Sequence, residues 1–404
     1  MNELFEFVTM VIPKAGIQVG ALPLTLNMLL FGIAILLNLQ YVVKFLFSNM
    51  YFFIAYYLLL MICLFSVFIN LSDRTISTMT VAKTVVVLLS PLAGTLFYKD
   101  SADRALKIVS VASIMNGLYM VCQKIFGIIN ISIKGLTYTW GQDLAAKNIG
   151  YNGGDTNSLV GEANKMPSTY QNGNSVGLFL ATALVLMLIW KPASKKWRKT
   201  KTVSVIFSVI GLLLCGSRSI LFPMSVIGCV VMFNYLRNLS KTERARTLRF
   251  LFLFTIVVVL YFSFARTQVI GQLYNRYVTQ TIANPTSNRS MIWSNALNYI
   301  FNLDNKGFVR FLLIGAPNTS ISSEGMMGFM LNRGVIAQLL FLICLVVPIL
   351  VLIGDRKKRI VGYGMFAVLV AFILDMSFYY LPCVMNYYIA FAIAQNYYKH
   401  PTIE

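Results

Sequence analysis

Long apolar runs alternate with short polar or basic connectors over most of this chain. A helix needs about 20 apolar residues to cross the hydrocarbon core of a bilayer. Twelve candidate spans meet or approach that length, and the weakest are the short seventh and ninth and the first, which contains Pro13 and Lys14. The spans are 4–21, 22–43, 51–69, 77–97, 105–128, 173–190, 203–217, 219–236, 250–265, 334–353, 360–376 and 382–397. The pattern predicts an all-α polytopic membrane protein that forms one transmembrane domain over residues 1–404.

The composition agrees with that class. Of the 404 residues, 57% are hydrophobic and only 12% are charged, whereas soluble domains carry about 25% charged residues. The net charge of +20 does not indicate a nucleic-acid partner, because the basic residues do not form one stripe. They cluster between apolar runs, as expected of loops that face an anionic lipid leaflet.

The basic connectors predict an orientation. Residues 191–201, 237–249 and 356–359 are rich in Lys and Arg, and the twelve-span pattern puts all three connectors on one side. The positive-inside rule makes that side cytoplasmic. Both termini are then predicted inside, and two large loops, 129–172 and 266–333, are predicted outside.

The two outer loops differ in pattern. The first is rich in Gly, Asn, Ser and Thr, whereas the second contains apolar residues at helical spacing within Ser290–Phe301. This spacing predicts an amphipathic helix that lies along the membrane surface. The chain has no internal repeat, so an inverted-repeat transporter gains no support.

A second set of arginines lies on the predicted outer side, where the positive-inside rule does not account for it. The set is Arg218, Arg266, Arg276, Arg289, Arg310 and Arg333. Guanidinium groups form bidentate contacts with phosphate oxygens, so the set indicates an anionic substrate such as a lipid-linked diphosphate. The alternatives are a snorkelling anchor for Arg218, and headgroup binding or loop salt bridges for Arg276 and Arg289.

Candidate bases on the outer side are few. The only histidine, His400, falls in the predicted cytoplasmic tail, and the chain has no Walker loop, HExxH or GxSxG motif. Glu324 lies just before a predicted span and can serve as a general base or pair with Arg289 or Arg333. Asp375, near the outer end of its span, can pair with Lys83 or line a cavity. The six cysteines form no CxxC pair, so we expect no metal site.

Several patches resemble the O-antigen polymerase and ligase superfamily of bacterial membrane proteins. Gln171–Leu180 is similar to the segment that enters the span after the family's first large loop. Gly216-Ser217-Arg218-Ser219 is similar to its small-residue–Ser–Arg turn. Arg289–Leu297 resembles its Arg-x-x-Ile-Trp-x-x-Ala-Leu stretch, with Arg276 upstream. Gly315, Glu324-Gly325 and Gly334 resemble the end of its second loop, so the likeness covers residues 170–340 in patches.

The resemblance implies a polymerase of the bacterial inner membrane. Ligases of the family carry a His-Asn pair where this chain has Ser323-Glu324, so the polymerase is favoured over the alternatives, a ligase-like transferase or a flippase for lipid-linked glycans. The implied reaction is inverting glycosyl transfer from polyprenyl diphosphate to a sugar hydroxyl of another lipid-linked repeat unit. No cofactor or metal is implied. A chain-length regulator and membrane lipid are the expected partners.

The resemblance and the outer-side residues together give a predicted site. Glu324, Arg218 and Arg289 are the candidate catalytic residues. The diphosphate is expected to contact these two arginines and three more, Arg266, Arg276 and Arg333. The candidate glycan contacts are Asn174, Tyr138, Trp140 and Trp293.

Overall fold

The computed structural model describes residues 1–19, 22–72, 78–97, 101–141, 165–246, 274–286, 288–316 and 324–397, with isolated positions between 248 and 271 and at 321. Most of the predicted ninth span, much of the first outer loop, and Arg266 and His400 lie outside these residues. The described part is dominated by helices, as expected of an all-α membrane protein.

The helices of the first half are α1 Asn2–Val11, α2 Leu26–Leu37, α3 Leu39–Ser48, α4 Met50–Ser72, α5 Thr78–Thr95, α6 Ala102–Phe126, α7 Gly173–Ile189, α8 Lys195–Leu214 and α9 Arg218–Asn238. The later ones are a π-helix Asn275–Thr279, α10 Gln280–Ala283, α11 Arg289–Phe301, α12 Asn305–Ile314, α13 Gly325–Arg333, α14 Val335–Gly354, α15 Arg359–Leu374, a 3₁₀ helix Met376–Tyr379 and α16 Leu381–Tyr397. Strands β1 Gly16–Val19 and β2 Leu22–Thr25 form an antiparallel hairpin.

Within the described residues, three helices are long and apolar enough to cross a membrane: α4 over Phe53–Leu71, α6 and α14. The pair α2 and α3 qualifies only if a 74° bend between them is counted within one span. Shorter apolar helices include α7 and α15. A multi-pass membrane protein is consistent with this arrangement, but the count of twelve spans is not confirmed.

The first two predicted spans are wrong as continuous helices. In the first predicted span α1 ends at Val11 and β1 follows at Gly16–Val19, and the second predicted span begins as β2. Pro13 has no N–H to donate and disfavours helical backbone at Ile12, so α1 ends at Val11. The second break follows Leu37, where Asn38 has non-helical backbone and donates through its side chain to the carbonyl of Ala34.

α1 ends within the protein, and its free carbonyl groups are satisfied there by polar side chains. Asn116 of α6 donates through Nδ2 to the carbonyl of Met10 at 2.8 Å, and the Tyr170 hydroxyl donates to the same carbonyl at 3.0 Å. Thr169 donates to the carbonyl of Val11. Irregular backbone at membrane depth is tolerated only where protein groups or a cavity replace the missing hydrogen bonds. This arrangement fixes the segment that leads into α7.

The core lies around α7 and α16, whose side chains are buried over almost the whole length of each helix. α16 packs against α5, α7 and α15, and its polar residues find partners inside the bundle. Asn396 donates to the carbonyl of Phe97 at 2.7 Å, and Asn386 donates to the Tyr170 hydroxyl at 3.2 Å. A central helix that does not contact lipid can therefore be less hydrophobic than the spans around it.

The predicted amphipathic segment is helical as α11. Ala296 and Ile300, four residues apart, are buried on one face and pack with Phe311 of α12 and Leu331 of α13. This small second core holds together the helices of the second outer loop. It also places the first residue of α11, Arg289, toward the bundle.

Candidate functional site

Three of the predicted phosphate-binding arginines come together at the predicted outer end of the bundle. Arg218 is the first residue of α9, Arg276 lies in the π-helix, and Arg289 is the first residue of α11. Burial lowers the pKa of Arg276 below its ordinary value, and the nearby guanidinium groups of Arg218 and Arg289 lower it further. The positive charges are therefore close enough to interact.

The guanidinium of Arg218 is held by backbone and side-chain oxygens of α10 and the turn that follows it. Its Nη1 atom donates to the carbonyl of Gln280 at 3.0 Å, the hydroxyl of Thr281 at 3.1 Å and the carbonyl of Asn284 at 3.1 Å. These acceptors are uncharged, so they fix the position of the guanidinium without cancelling its charge.

Arg276 is held from the other side, by the turn before α9. Its Nε donates to the carbonyl of Gly216 at 2.9 Å, and its Nη1 donates to Oε1 of Gln280 at 2.8 Å. Gln280 thus contacts both arginines, one through its side chain and the other through its carbonyl. The Gly216-Ser217-Arg218 turn and the second outer loop are joined at this point.

Arg289 differs from these two because carboxylates face it. Its Nε lies 3.1 Å from Oε2 of Glu324, and its Nη2 lies 3.9 Å from Oδ2 of Asp375. Pairing with Arg289 was one of the two roles predicted for Glu324. Asp375 lies beside Arg289 rather than Lys83, whose ammonium is 5.6 Å from the ring centre of Tyr379.

Asp375 and Asn174 connect Arg289 to a lysine that the sequence analysis did not single out. Asn174 donates through Nδ2 to Oδ2 of Asp375, and Ser377 donates to the other carboxylate oxygen at 2.9 Å. Lys165 donates to Oδ1 of Asn174 at 3.4 Å. Asn174 was predicted as a glycan contact, and the structure places it between a cation and an anion.

Lys165 lies among charged groups from three other elements. Burial lowers the pKa of its ammonium to about 8, Arg276 and Arg289 act in the same direction, and Asp375 acts against them. The only sequence signal for this lysine was its position at the end of the first outer loop, directly before the segment that resembles the polymerase and ligase superfamily.

Two glycines bring the elements of the site into close contact. A Cβ atom on Gly173 would lie 2.0 Å from the carbonyl oxygen of Cys215, and one on Gly325 would lie 2.0 Å from that of Ile373. Gly325 also has a φ of +58°, which favours glycine. Absence of a side chain at these positions lets the start of α7 approach the Arg218 turn, and the start of α13 approach the end of α15.

We name the resulting group the cation cluster: Lys165, Arg218, Arg276, Arg289, Glu324 and Asp375. Four cations and two carboxylates give these six side chains a formal charge of +2. Like charges held together in a partly desolvated place repel one another, and a bound anion relieves that repulsion. The arrangement therefore suits an anion with more than one phosphate oxygen to contact.

Other predicted site residues lie apart from the cation cluster. Arg333 is fully buried and donates to Thr84 of α5. Arg310 belongs to the outer-side arginine set but not to the predicted site, and it donates to Oδ1 of Asn70 at 3.0 Å. Trp140 pairs with the edge of β1, where its backbone N–H donates to the carbonyl of Gly16 at 2.8 Å. Tyr138 lies two residues before Trp140.

Trp293 lies on α11, one turn after Arg289, and its buried indole N–H has no hydrogen-bond partner in the described part of the chain. It stays a candidate glycan contact. In the same part of the chain, no group of three or more His, Cys, Asp or Glu side chains is placed to hold a metal ion.

Neither a protein-family model nor a curated protein matches this chain. Function is therefore inferred from the chemistry of the cation cluster and from the motifs in the sequence.

Proposed function

We propose that this protein is a polysaccharide polymerase of the O-antigen type. It passes a glycan from polyprenyl diphosphate to a sugar hydroxyl of another lipid-linked repeat unit, with inversion, at the outer face of a bacterial cytoplasmic membrane. The observation that carries the proposal is the convergence of Arg218, Arg276 and Arg289 from three separate elements. The motifs that resemble the polymerase and ligase superfamily contain Arg218 and Arg289, and Arg276 lies upstream of the second motif.

The leaving group in this reaction is a lipid diphosphate, on which negative charge develops as the glycosidic bond breaks. Donors that are already oriented toward such charge lower the barrier, and removal of one donor typically costs about 10²–10³-fold in rate. The backbone and side-chain acceptors around Arg218 and Arg276 hold both guanidinium groups in place before substrate arrives. That preorganisation is what an arginine-based leaving-group site requires.

Glu324 is the proposed base that accepts the proton of the attacking sugar hydroxyl. Its side chain is 39% exposed, so an acceptor sugar can reach it, and its pairing with Arg289 orients the carboxylate. The inverting reaction needs the base and the leaving-group site on opposite faces of the donor sugar. In the proposed arrangement Arg218, Arg276 and Arg289 bind the diphosphate, and Glu324 accepts the proton on the opposite face of the donor sugar.

The proposal is tested by replacing Arg218 in the native host while the lipid-linked repeat unit is still made. Arg218→Ala should reduce polymer by about 10²–10³-fold and leave single repeat units on the lipid carrier. Arg218→Lys should rescue poorly, because an ammonium lacks the planar fork of a guanidinium. Chain length and lipid-linked intermediates are measured by gel electrophoresis and mass spectrometry.

The matched control is Arg198→Ala, which removes an exposed arginine of the basic connector and should leave polymer length unchanged. Three results would contradict the polymerase. Normal polymer length in Arg218→Ala would show that Arg218 takes no part in the reaction. Full-length polymer retained on the lipid carrier indicates a ligase, and repeat units trapped inside the cell indicate a flippase.

A further inference from the structure

The cation cluster contains one positive charge that is lost by deprotonation near physiological pH. Three of its four cations are arginines, which stay charged at any pH that proteins tolerate. The fourth is Lys165, which reaches the cluster from the end of the first outer loop. The loop that supplies this charge is separate in sequence from the loop that supplies Arg276 and Arg289.

The position of Lys165 is set by a chain of contacts that crosses the site. Its ammonium contacts Asn174, Asn174 contacts Asp375, and Asp375 faces Arg289. Asn174 lies in the first turn of α7. Asn172 caps the start of this helix, because its side-chain oxygen accepts from the backbone N–H of Ser175 at 2.9 Å. The lysine is therefore anchored to a rigid helix start and does not depend on the outer loop alone.

We propose that Lys165 is a fourth ligand of the substrate diphosphate, and that its charge makes substrate binding depend on pH. This inference rests on the proposed function. A diphosphate diester has one negative charge on each phosphate, and the cation cluster has a formal charge of +2 when Lys165 is protonated. Loss of the Lys165 proton leaves the cluster with half of that excess positive charge.

The groups that face Lys165 decide the pH range. In the described part of the chain they are Arg276 from the π-helix, Arg289 from α11, Asp375 after α15 and Cys215 between α8 and α9. Cys215 is fully buried at the end of its predicted span. The pKa of Lys165 is lowered to about 8. Its charge is therefore present below about pH 8 and lost above it.

The sign of the effect follows from the charge of the ligand. A bound diphosphate favours the protonated ammonium, so the protein takes up a proton at Lys165 when it binds substrate above about pH 8. Affinity should be highest below that pH and should fall as the pH rises through it. An arginine at position 165 stays protonated throughout and should remove the dependence.

The test measures binding of farnesyl-diphosphate-linked N-acetylglucosamine to the purified full-length protein in detergent. This probe is a diphosphate diester, and its charge does not change between about pH 6.5 and about pH 9.5. Wild-type protein should lose about tenfold in affinity over that range, as expected for one charged hydrogen bond. Lys165→Arg should bind with the same affinity at both ends of the range, and Lys165→Met should bind weakly at both.

Lys306→Met is the matched control, because Lys306 is an exposed lysine on α12 of the second outer loop. It should keep the affinity and the pH profile of the wild type. If Lys165→Met does not fold, as judged by gel filtration and thermal unfolding, the pH profile of Lys165→Arg decides alone.

Two outcomes separate this inference from the proposed function. If Lys165→Arg keeps the wild-type pH dependence, or Lys165→Met binds like the wild type, Lys165 is not a ligand. The proposed function survives that result if Arg276→Ala still loses binding of the probe. If Arg276→Ala also binds the probe normally, the cation cluster does not bind diphosphate and both proposals fail together.

Discussion

Arg289 and Arg333 are arginines of the same predicted outer loop, and the sequence predicts phosphate binding for both, but their surroundings have little in common. Arg333 has no exposed surface. It donates to the Thr84 hydroxyl at 2.7 Å, the carbonyl of Thr80 at 3.0 Å and the carbonyl of Asn332 at 3.1 Å. Arg289 keeps 20% of its side chain exposed and lies between two carboxylates, with other cations nearby.

The difference separates an arginine whose donors are taken by neutral groups of the fold from one that we propose binds a ligand. All three acceptors of Arg333 are neutral protein groups, and two of them belong to α5, so Arg333 joins α13 to α5. A buried guanidinium with fixed acceptors contributes to stability, because its removal leaves those acceptors unsatisfied. Arg289 contributes to a group of like charges whose repulsion an anion relieves. The same residue type therefore joins two helices at one position and belongs to the proposed substrate site at the other.

The largest expected effect is at Glu324, the carboxylate that pairs with Arg289. Glu324→Gln keeps the shape and hydrogen bonding of the side chain but removes its basicity. If Glu324 is the base, turnover should fall by about 10²–10⁴-fold while binding of a lipid diphosphate is retained. Polymerisation rate and probe binding are measured on the same protein preparation.

Asp375→Asn is the companion variant for Glu324→Gln, since it removes the other carboxylate that faces Arg289. If Glu324 serves only as the ion-pair partner of Arg289, in the way that Thr84 serves as an acceptor for Arg333, Glu324→Gln and Asp375→Asn should each lose probe binding and turnover in parallel. Unchanged turnover in Glu324→Gln would remove the base assignment altogether.

The next largest effect is on stability, at Arg333. Arg333→Ala removes a buried donor from the Thr84 hydroxyl and from the carbonyl groups of Thr80 and Asn332, of which the Thr80 carbonyl still accepts from the Thr84 hydroxyl. The free energy of unfolding should fall by about 3 kcal/mol, seen as a lower unfolding temperature in detergent. Molecules that do fold should polymerise at rates within about twofold of the wild type.

Arg289→Ala is the matched variant for Arg333→Ala, and it should give the opposite result, with lost activity and nearly unchanged stability. The assignment of a structural role to Arg333 and a binding role to Arg289 is wrong if Arg333→Ala folds normally but makes no polymer. Arg333 would then belong with the substrate-binding arginines, as the sequence predicts.

The smallest effect concerns the close approach that brings Glu324 and Asp375 to the same arginine. Gly325→Ala places a methyl group against the carbonyl of Ile373 and an L side chain at a φ of +58°. Stability should fall by about 1–3 kcal/mol, and polymerisation should fall with it, because Glu324 shifts away from Arg289. Thermal unfolding and polymer yield check both effects.

Gly32→Ala in α2 is the control for this substitution, because no heavy atom lies within 4 Å of the added Cβ. Alanine in that helix should be neutral or stabilise by up to about 1 kcal/mol. Equal behaviour of Gly325→Ala and Gly32→Ala would show that the start of α13 does not need its contact with α15.

Much of the helical pattern could be predicted, because apolar length and loop charge are local properties of the chain. α4, α6 and α14 lie where apolar runs predict spans. The prediction was wrong at the N-terminus, where residues 4–25 are apolar enough for a span but include Pro13 and Pro23. Apolar composition alone does not distinguish a continuous helix from a short helix followed by a hairpin, because it counts apolar residues and does not depend on backbone conformation.

The types of residue in the candidate site could be predicted from the sequence. Which individual arginines and lysines come together could not. Sequence position and phosphate chemistry singled out Arg218, Arg276 and Arg289, and the structure brings these three together. Nothing local distinguished Arg333 from them. Lys165 was not predicted, because the charged groups that surround it lie in the π-helix, at the start of α11 and at the end of α15, all of which are far from it in sequence.

The sequence by itself determined that this is a helical, lipid-compatible chain with cations in its predicted outer loops, because hydropathy and charge are sums over neighbouring residues. Only the tertiary structure decided which cations share one site and which join two helices. The grouping of the cations depends on where α5, α7, α13 and α15 meet. It also depends on glycines such as Gly173 and Gly325, which allow close contacts between backbone segments. Long-range packing sets the distance between charges, and that distance determines whether an arginine is satisfied by the fold or available to a substrate.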